Sequence, residues 1–272
     1  MRIDAVGMGA ILQRPAIGDQ WPASWRLSRG GVRNCWVPAF TCWCTLYADR
    51  CALRKVQIPL FAEMLRIHPD EPEPDRVQYV ASCLRHGKVV GLPTDTFYGL
   101  AVDPVNLRAV EHIYEIKTRL KHKPLSLLIA TAAQAYELSR EVGPHLDTLA
   151  EKFWPGPLTL IVKASSRLPL RTTAKTGNVA LRIPDAAIPR AVVEALGLPV
   201  TATSANLQGY PECTYALCVR DQIGDRIPLI VDGGPTGRSM PTTIVDLTGP
   251  RGSWQILREG AIPTHEIALA LS

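Results

Sequence analysis

The sequence predicts an α/β protein built on an open, twisted, mixed sheet with flanking helices. Three observations carry that reading. From about residue 64 onward, short apolar runs suited to buried strands alternate with stretches of helical period. Near the end of the chain, Pro228 to Asp232, Thr243 to Leu247 and Trp254 to Arg258 read as strands set close together. The last two leave no room for a helix between them, so part of the sheet is antiparallel. An apolar content of 46% over 272 residues is ample for a core.

The first 63 residues read differently from the rest. They hold Trp21, Trp25, Trp36 and Trp43, four of the six tryptophans, together with Cys35, Cys42, Cys44 and Cys51, and no sustained period of either kind. The spacing C-x6-C-x-C-x6-C lacks a C-x2-C pair and no His is near, which argues against zinc. The expectation is a poorly ordered or misannotated extension over residues 1–63, with Met64 as a natural start, ahead of a main domain over residues 64–272.

After a turn-rich leader at residues 69–74, Asp75 is placed as the cap of a helix with Val77, Val80, Ala81 and Leu84 inward, stopped at Gly87. Lys88 to Leu92 follows as a strand. A helix from about Val105 to Leu120 turns Leu107, Val110, Ile113 or Tyr114, and Ile116 inward. Leu125 to Ala130 is a buried strand, and helices are predicted over Ala132 to Glu141 and Pro144 to Phe153. The second half continues with strands Leu158 to Lys163 and Val179 to Ile183, a helix Ile188 to Leu196, a strand Pro199 to Thr203 and a helix Thr214 to Ile223.

Composition narrows the class. The net charge of +5 sits mostly in the first 63 residues, with eight Lys/Arg against four acids, and leaves the body close to neutral. A neutral body argues against a protein that lives wrapped on nucleic acid. The apolar runs are too short to span a bilayer, and Asp4, Arg14 and Asp19 interrupt any leader, so a cytoplasmic protein with no membrane partner is expected. Seven cysteines at irregular spacing, without a secretion signal, are read as reduced thiols.

The chemistry is concentrated in polar groups near strand ends. Pro93-Thr94-Asp95-Thr96 is an ordinary turn sequence, but it is followed by Tyr98-Gly99, where glycine permits close approach, and by the cations Lys117, Arg119, Lys121 and Lys123. Cations complement a helix C-terminus, yet four of them crowded together are more than its dipole requires and suit an anion. Trp154-Pro155-Gly156-Pro157-Leu158-Thr159 reads as a rigid structural corner. Arg182 lies inside a strand before Pro184 and is placed in a cleft. Thr201 to Asn206 ends a strand with three hydroxyls and an amide, more than a helix cap needs. Asp232-Gly233-Gly234, Thr242-Thr243 with Asp246, and Arg258 complete the set, and open α/β sheets hold ligands at strand termini.

With these motifs the chain resembles the YrdC-like family of threonylcarbamoyl-AMP synthases over roughly Asp75 to Ala261. The resemblance rests on PTDTFYGL, Lys117-x-Arg119 with its following KP, WPGPLT, VALRIP, Ser204-x-Asn206, DGG, TTIVDL and ILREG. It implies a catalytic domain with a large concave surface that joins L-threonine, bicarbonate and ATP, releasing pyrophosphate, as the first step of t6A modification of tRNA. It implies that Thr96 and Arg182 hold threonine with Thr242 nearby, and that Lys117, Arg119, Lys123, Ser204, Asn206 and Arg258 hold the nucleotide. Lys117 and Arg119 are expected to be the catalytic pair, with Mg²⁺ bridging the phosphates. The expected partners are tRNA, met indirectly or weakly, and a downstream threonylcarbamoyl transferase. Glu212, Leu128 and Glu259 depart from the family pattern, which expects a small hydroxyl residue, in some members a His, and a proline at those places.

Two other readings stand beside this one. An RNA-binding module would use the same basic concavity without catalysis, with affinity that falls steeply with salt. A carbamoyl-transfer relative would act on carbamoyl phosphate, but such proteins carry zinc-finger and acylphosphatase-like parts that are not seen in this sequence.

Overall fold

The computed structural model describes residues 61–117, 124–237 and 240–272. Contacts divide the chain into two units, Met1–Lys55 and Val56–Ser272. The described residues all lie in the second. Its elements run β1 (Glu63–Arg66), α1 (Pro74–Arg85), β2 (Val90–Leu92), β3 (Gly99–Ala101), α2 (Leu107–Ile116), β4 (Ser126–Leu128), α3 (Ala132–Leu138), β5 (Ser139–Glu141), α4 (His145–Phe153), β6 (Leu158–Ala164), β7 (Asn178–Arg182), α5 (Ala187–Leu196), β8 (Val200–Thr201), β9 (Thr203–Ser204), α6 (Ala216–Ile223), β10 (Leu229–Asp232), β11 (Thr243–Asp246), β12 (Gln255–Arg258) and α7 (Thr264–Ala270). Among the described residues no helix is long and apolar enough to cross a membrane.

The strands form two mixed sheets. One has the order β1-β10-β2-β3-β9, the other β12-β11-β6-β7-β4-β8, with β5 paired to β6. The expected antiparallel pair is present, since β11 and β12 run in opposite directions while β11 runs parallel to β6. The segment read as one strand, Pro199 to Thr203, is two: β8 pairs with β4, and β9 pairs with β3 in the other sheet. A short crossing at Ala202, whose N–H donates to Ser126 O at 2.7 Å, therefore stitches the two sheets together.

Alternation along the strands decides what each face buries. The first sheet is covered on both faces. Leu100, Val102 and Ile230 pack with α2 and α6, while Val90, Leu92, Ala101, Leu229 and Val231 pack with α1 and α5. In the second sheet, Leu127, Leu158, Leu160, Val162, Val179, Leu181 and Val245 pack with α3, α4 and α7. That arrangement leaves the opposite face for the site.

Several sequence expectations are corrected. Asp75 does not cap α1; it lies in the first turn after Pro74, and Glu73 occupies the cap position. Leu107 is exposed because Asn106 caps α2, its side chain accepting from Ala109 N–H, and that start turns Ala109, Val110, Ile113, Tyr114 and Ile116 inward. The helix read to Glu141 stops at Leu138, and Ser139–Glu141 becomes β5 on the edge of β6. Cys213 and Cys218 are disulfide-bonded rather than reduced, their Cα atoms brought to 5.5 Å by the turn into α6, within disulfide range. Cys83 is a buried free thiol. The cysteine cluster and tryptophans of the first 51 residues, with the zinc reading attached to them, lie outside the described residues. Strand β1 crosses the expected boundary at residue 63: Ala62 is buried, and its N–H donates to Gly224 O at 2.7 Å.

Candidate active site

The uncovered face of the second sheet floors a cavity of about 490 Å³. Because Leu158, Leu160 and Val162 face the helices, Thr159 and Ile161 face the cavity; in β7 the same alternation presents Ala180 and Arg182, and in β4 Ser126 and Leu128. Register aligns them, with Leu128 opposite Arg182 and Ser126 opposite Ala180. The walls come from Thr94, the Thr96 to Gly99 segment, the Ala202 to Ser204 crossing, Glu212, Pro241-Thr242, Leu257 and Arg258. The site is thus a concave sheet face, where strand tips were expected, and it forms because α3, α4 and α7 cover only the other side.

Arg182 is buried at the end of β7 with its guanidinium held on three sides. Nε donates to Gly156 O at 2.9 Å, Nη1 to Thr96 Oγ1 at 3.1 Å and Nη2 to Asp95 Oδ1 at 2.5 Å. Thr94 shapes the turn that delivers these groups: its hydroxyl donates to Phe97 O at 2.8 Å and accepts from Thr96 N–H at 3.2 Å. At the opposite wall Thr242 Oγ1 accepts from Thr159 Oγ1 at 3.0 Å and from Arg258 Nη2 at 2.9 Å. Arg258 Nε also donates to Thr242 O at 3.0 Å. Burial of that guanidinium draws its pKa down, and the Glu212 carboxylate pulls it back up.

Lys117, the C-cap of α2, is buried and reaches across to β9. Its Nζ donates to Ser204 O, to Ser204 Oγ at 3.0 Å and to Asn206 Oδ1 at 2.9 Å. Asn206 Oδ1 accepts from Ser204 Oγ at 2.8 Å as well, and Asn206 Nδ2 donates to Tyr210 O at 2.6 Å. Lys117, Ser204 and Asn206 are therefore one polar knot, of which Ser204 lines the cavity while the other two stand behind it.

Thus Thr96, Arg182, Ser204, Thr242 and Arg258 line one cavity, and Lys117 and Asn206 join it through Ser204. Arg119, Lys121 and Lys123 lie outside the described residues. Of the three departures, Glu212 and Leu128 line the cavity. Glu259 serves elsewhere: its Oε2 accepts from Thr264 N–H at 3.1 Å and from Thr264 Oγ1, at the start of α7, and these bonds hold its carboxyl below the usual range.

Two motifs play parts other than those expected, and a third plays the part expected of it. The Asp232-Gly233-Gly234 turn lies behind the Pro93 turn, where Gly233 and Pro93 line a separate hollow of about 720 Å³. A side chain at Gly233 would meet Ile188 Cδ1 at 2.6 Å and Pro93 Cγ at 3.0 Å, so a larger residue there would displace these side chains. Tyr98 ties the two turns by donating to Gly234 O at 2.7 Å, and burial with the nearby Asp232 charge raises its pKa far above the usual phenol range. Gly99, in contrast, would place a Cβ no closer than 3.5 Å to Thr203 O, so the fold does not demand a glycine there. The Trp154-Pro155-Gly156 corner is structural as predicted, with a cis Trp154–Pro155 peptide and Trp154 Nε1 donating to Leu158 O at 2.7 Å. It also gives Gly156 O to Arg182.

Reading the sequence for motifs overlooked Thr159, Ser126 and the Gly156 carbonyl as parts of the site, and it named Asp95 only within the Pro93 to Thr96 turn, without a role. For Thr159 a signal existed, because Leu158, Leu160 and Val162 alternate with it and put it on the same face that Ala180 and Arg182 share. A backbone carbonyl leaves no such trace. Among the described residues no group of three or more His, Cys, Asp or Glu side chains could hold a metal ion.

Fold and cavity together define an open-sheet α/β protein with a cation-bearing, hydroxyl-rich concave face. The chain belongs to the Sua5/YciO/YrdC family, whose model, described as "Telomere recombination", matches residues 82–260. It is similar to the threonylcarbamoyl-AMP synthase of Pyrococcus abyssi, with 36% identity over 71% of this chain and 56% of that protein. The synthase of Vibrio parahaemolyticus is 32% identical over 68% of this chain and all of that protein. The crystal structure of P. abyssi Sua5 complexed with L-threonine superposes with a TM-score of 0.74 at 33% identity, over 77% of this chain and 61% of that one. The chain thus spans little more than half the length of the P. abyssi protein.

Proposed function

We propose that this protein synthesises threonylcarbamoyl-AMP from L-threonine, bicarbonate and ATP, the first step of t6A formation on tRNA, and hands the product to a separate threonylcarbamoyl transferase. One observation carries the reading: a single cavity is lined by Thr96, Arg182, Ser204, Thr242 and Arg258, with Lys117 fixed behind Ser204. The synthases it resembles, and the threonine complex of P. abyssi Sua5, support it. In this proposal Arg182 and Thr96 receive the amino acid, with Thr242 beside it. Lys117, Arg119, Lys123, Ser204, Asn206 and Arg258 hold the nucleotide.

The chemistry follows from charge. Threonine and bicarbonate condense to a carbamate with loss of water, and the carbamate is already an anion. One of its oxygens attacks the α-phosphate while the bond to the β-phosphate breaks and pyrophosphate leaves. Carbamate formation from the ammonium form of threonine releases one proton to solvent or bicarbonate buffer, but the attack on the α-phosphate needs no base, so positioning and neutralisation of charge are the main task of that step. Lys117 and Arg119 offset charge on the triphosphate. Glu212 is the lone carboxylate among the described lining residues, a donor set that does not make a protein-held metal site, so Mg²⁺ arrives on the phosphates of ATP.

We place the protein in the cytoplasm, with tRNA met weakly or through its partner. The catalytic part is the unit that holds the sheets, and the segment before it is an extension. The test is to incubate the protein with ATP, Mg²⁺, bicarbonate and each amino acid in turn and measure pyrophosphate. Release that requires threonine is expected. Salt-sensitive RNA binding with no such release would favour the RNA-binding module instead.

A further inference from the structure

Asp95 stands beside the cavity without lining it. It borders the hollow behind the Pro93 turn, whereas Arg182 and Thr96 border the cavity itself. Its Oδ1 accepts from Arg182 Nη2 at 2.5 Å, and the two side chains are 6% and 7% exposed. Its Oδ2 is buried and has no hydrogen-bond partner. As a source of stability this is a poor arrangement. Removing two charges from water offsets their attraction, and a carboxylate oxygen left bare adds a further cost.

What the arrangement does supply is direction. Gly156 O, Thr96 Oγ1 and Asp95 Oδ1 take one N–H each from Nε, Nη1 and Nη2, which defines both the place and the plane of the guanidinium. Two of these acceptors are neutral. Asp95 alone is charged, so of the three bonds made by the guanidinium only this one is also an ion pair.

We propose that Asp95 is a positioning residue: it acts through Arg182, holding the guanidinium in the orientation that receives the carboxylate of the amino-acid substrate. This rests on the assignment of Arg182 to the amino acid made above. The test is calorimetric titration of L-threonine into the full chain and into Asp95→Asn, Arg182→Gln and the double variant, with the KM for ATP and the melting temperature measured on each. Arg182→Gln is expected to weaken threonine binding at least about tenfold, a charge-assisted contact being lost. Asp95→Asn, which keeps the shape and an acceptor but not the charge, is expected to weaken it about tenfold while the KM for ATP changes less than about twofold. The double variant should bind no worse than Arg182→Gln alone, because a residue acting through another has no effect once that other is gone.

Unchanged threonine affinity in Asp95→Asn alongside a loss in Arg182→Gln overturns the positioning role and leaves Arg182 assigned. A further loss on adding Asp95→Asn to Arg182→Gln overturns it too. Unchanged affinity in Arg182→Gln overturns the assignment of Arg182 and this proposal with it. Should Asp95→Asn fail to fold, Asp95→Glu moves the charge by one methylene; positioning requires weaker threonine binding there, and native affinity in that variant overturns the proposal.

Discussion

Lys117 shows how much a single side chain is asked to do. Buried at the end of α2, it donates to Ser204 O, Ser204 Oγ and Asn206 Oδ1, so it organises the residues assigned to the nucleotide before any nucleotide arrives. Lys117→Ala is expected to lower threonine-dependent pyrophosphate release by at least about 10²-fold, the usual cost of losing a preorganised charge at a transition state. Cooperative thermal unfolding should persist; near-normal release would refute the catalytic role. Glu212 works in the opposite sense, as an acid lining a cavity proposed to receive a triphosphate. Replacing it by the small hydroxyl of Ser should lower the KM for ATP about fivefold, the effect of roughly 1 kcal/mol of repulsion between charges in a partly solvated site. A KM unchanged or raised in Glu212→Ser would place the phosphates elsewhere.

At the scale of elements, α7 is held at its start by a residue that sequence comparison marks only as a departure. Glu259 accepts from both the N–H and the hydroxyl of Thr264, and these bonds put its folded pKa below the ordinary 4.5. A depressed carboxyl contributes stability above its unfolded pKa and loses it as pH falls through the folded one. Native protein should therefore become easier to unfold as pH drops below about 4.5, and Glu259→Gln should show less of that dependence in urea melts taken over the same range. Identical pH dependence in the two proteins would count against the cap. Of the elements themselves, α1, α2, α4, α5 and the strands β4, β6, β7, β11 and β12 of the second sheet were legible, because their periods are clean and their neighbours are Gly, Pro or polar. The three-residue β3 and β5, the edge strand β1 and helix α7 were not, since a stretch that short carries too few residues to express a period.

For the molecule as a whole, the boundary of the domain has a direct test. The compact unit begins at Val56, and the edge strand draws on Ala62 and Glu63, whose N–H groups donate to Gly224 O at 2.7 Å and Pro228 O at 3.0 Å. A chain starting at Val56 is expected to unfold at the native midpoint and to retain threonine-dependent release. One starting at Met64 forfeits both bonds and should lose roughly 1–2 kcal/mol of stability in denaturant titration. Equal stability for the two would mean β1 adds nothing. Motif content and the mixed α/β class followed from the sequence, because residue types and strand periods are local properties, while only the resemblance to a known family named Thr96, Arg182, Ser204, Thr242 and Arg258 for one site. That the site lies on an open sheet face, that Lys117 is spoken for by Ser204 and Asn206, and that Asp95 grips Arg182 from behind depend on contacts between residues roughly 90 positions apart. Those only the tertiary structure decided, since which side of a sheet its helices leave bare is set by how the elements pack and not by any one of them.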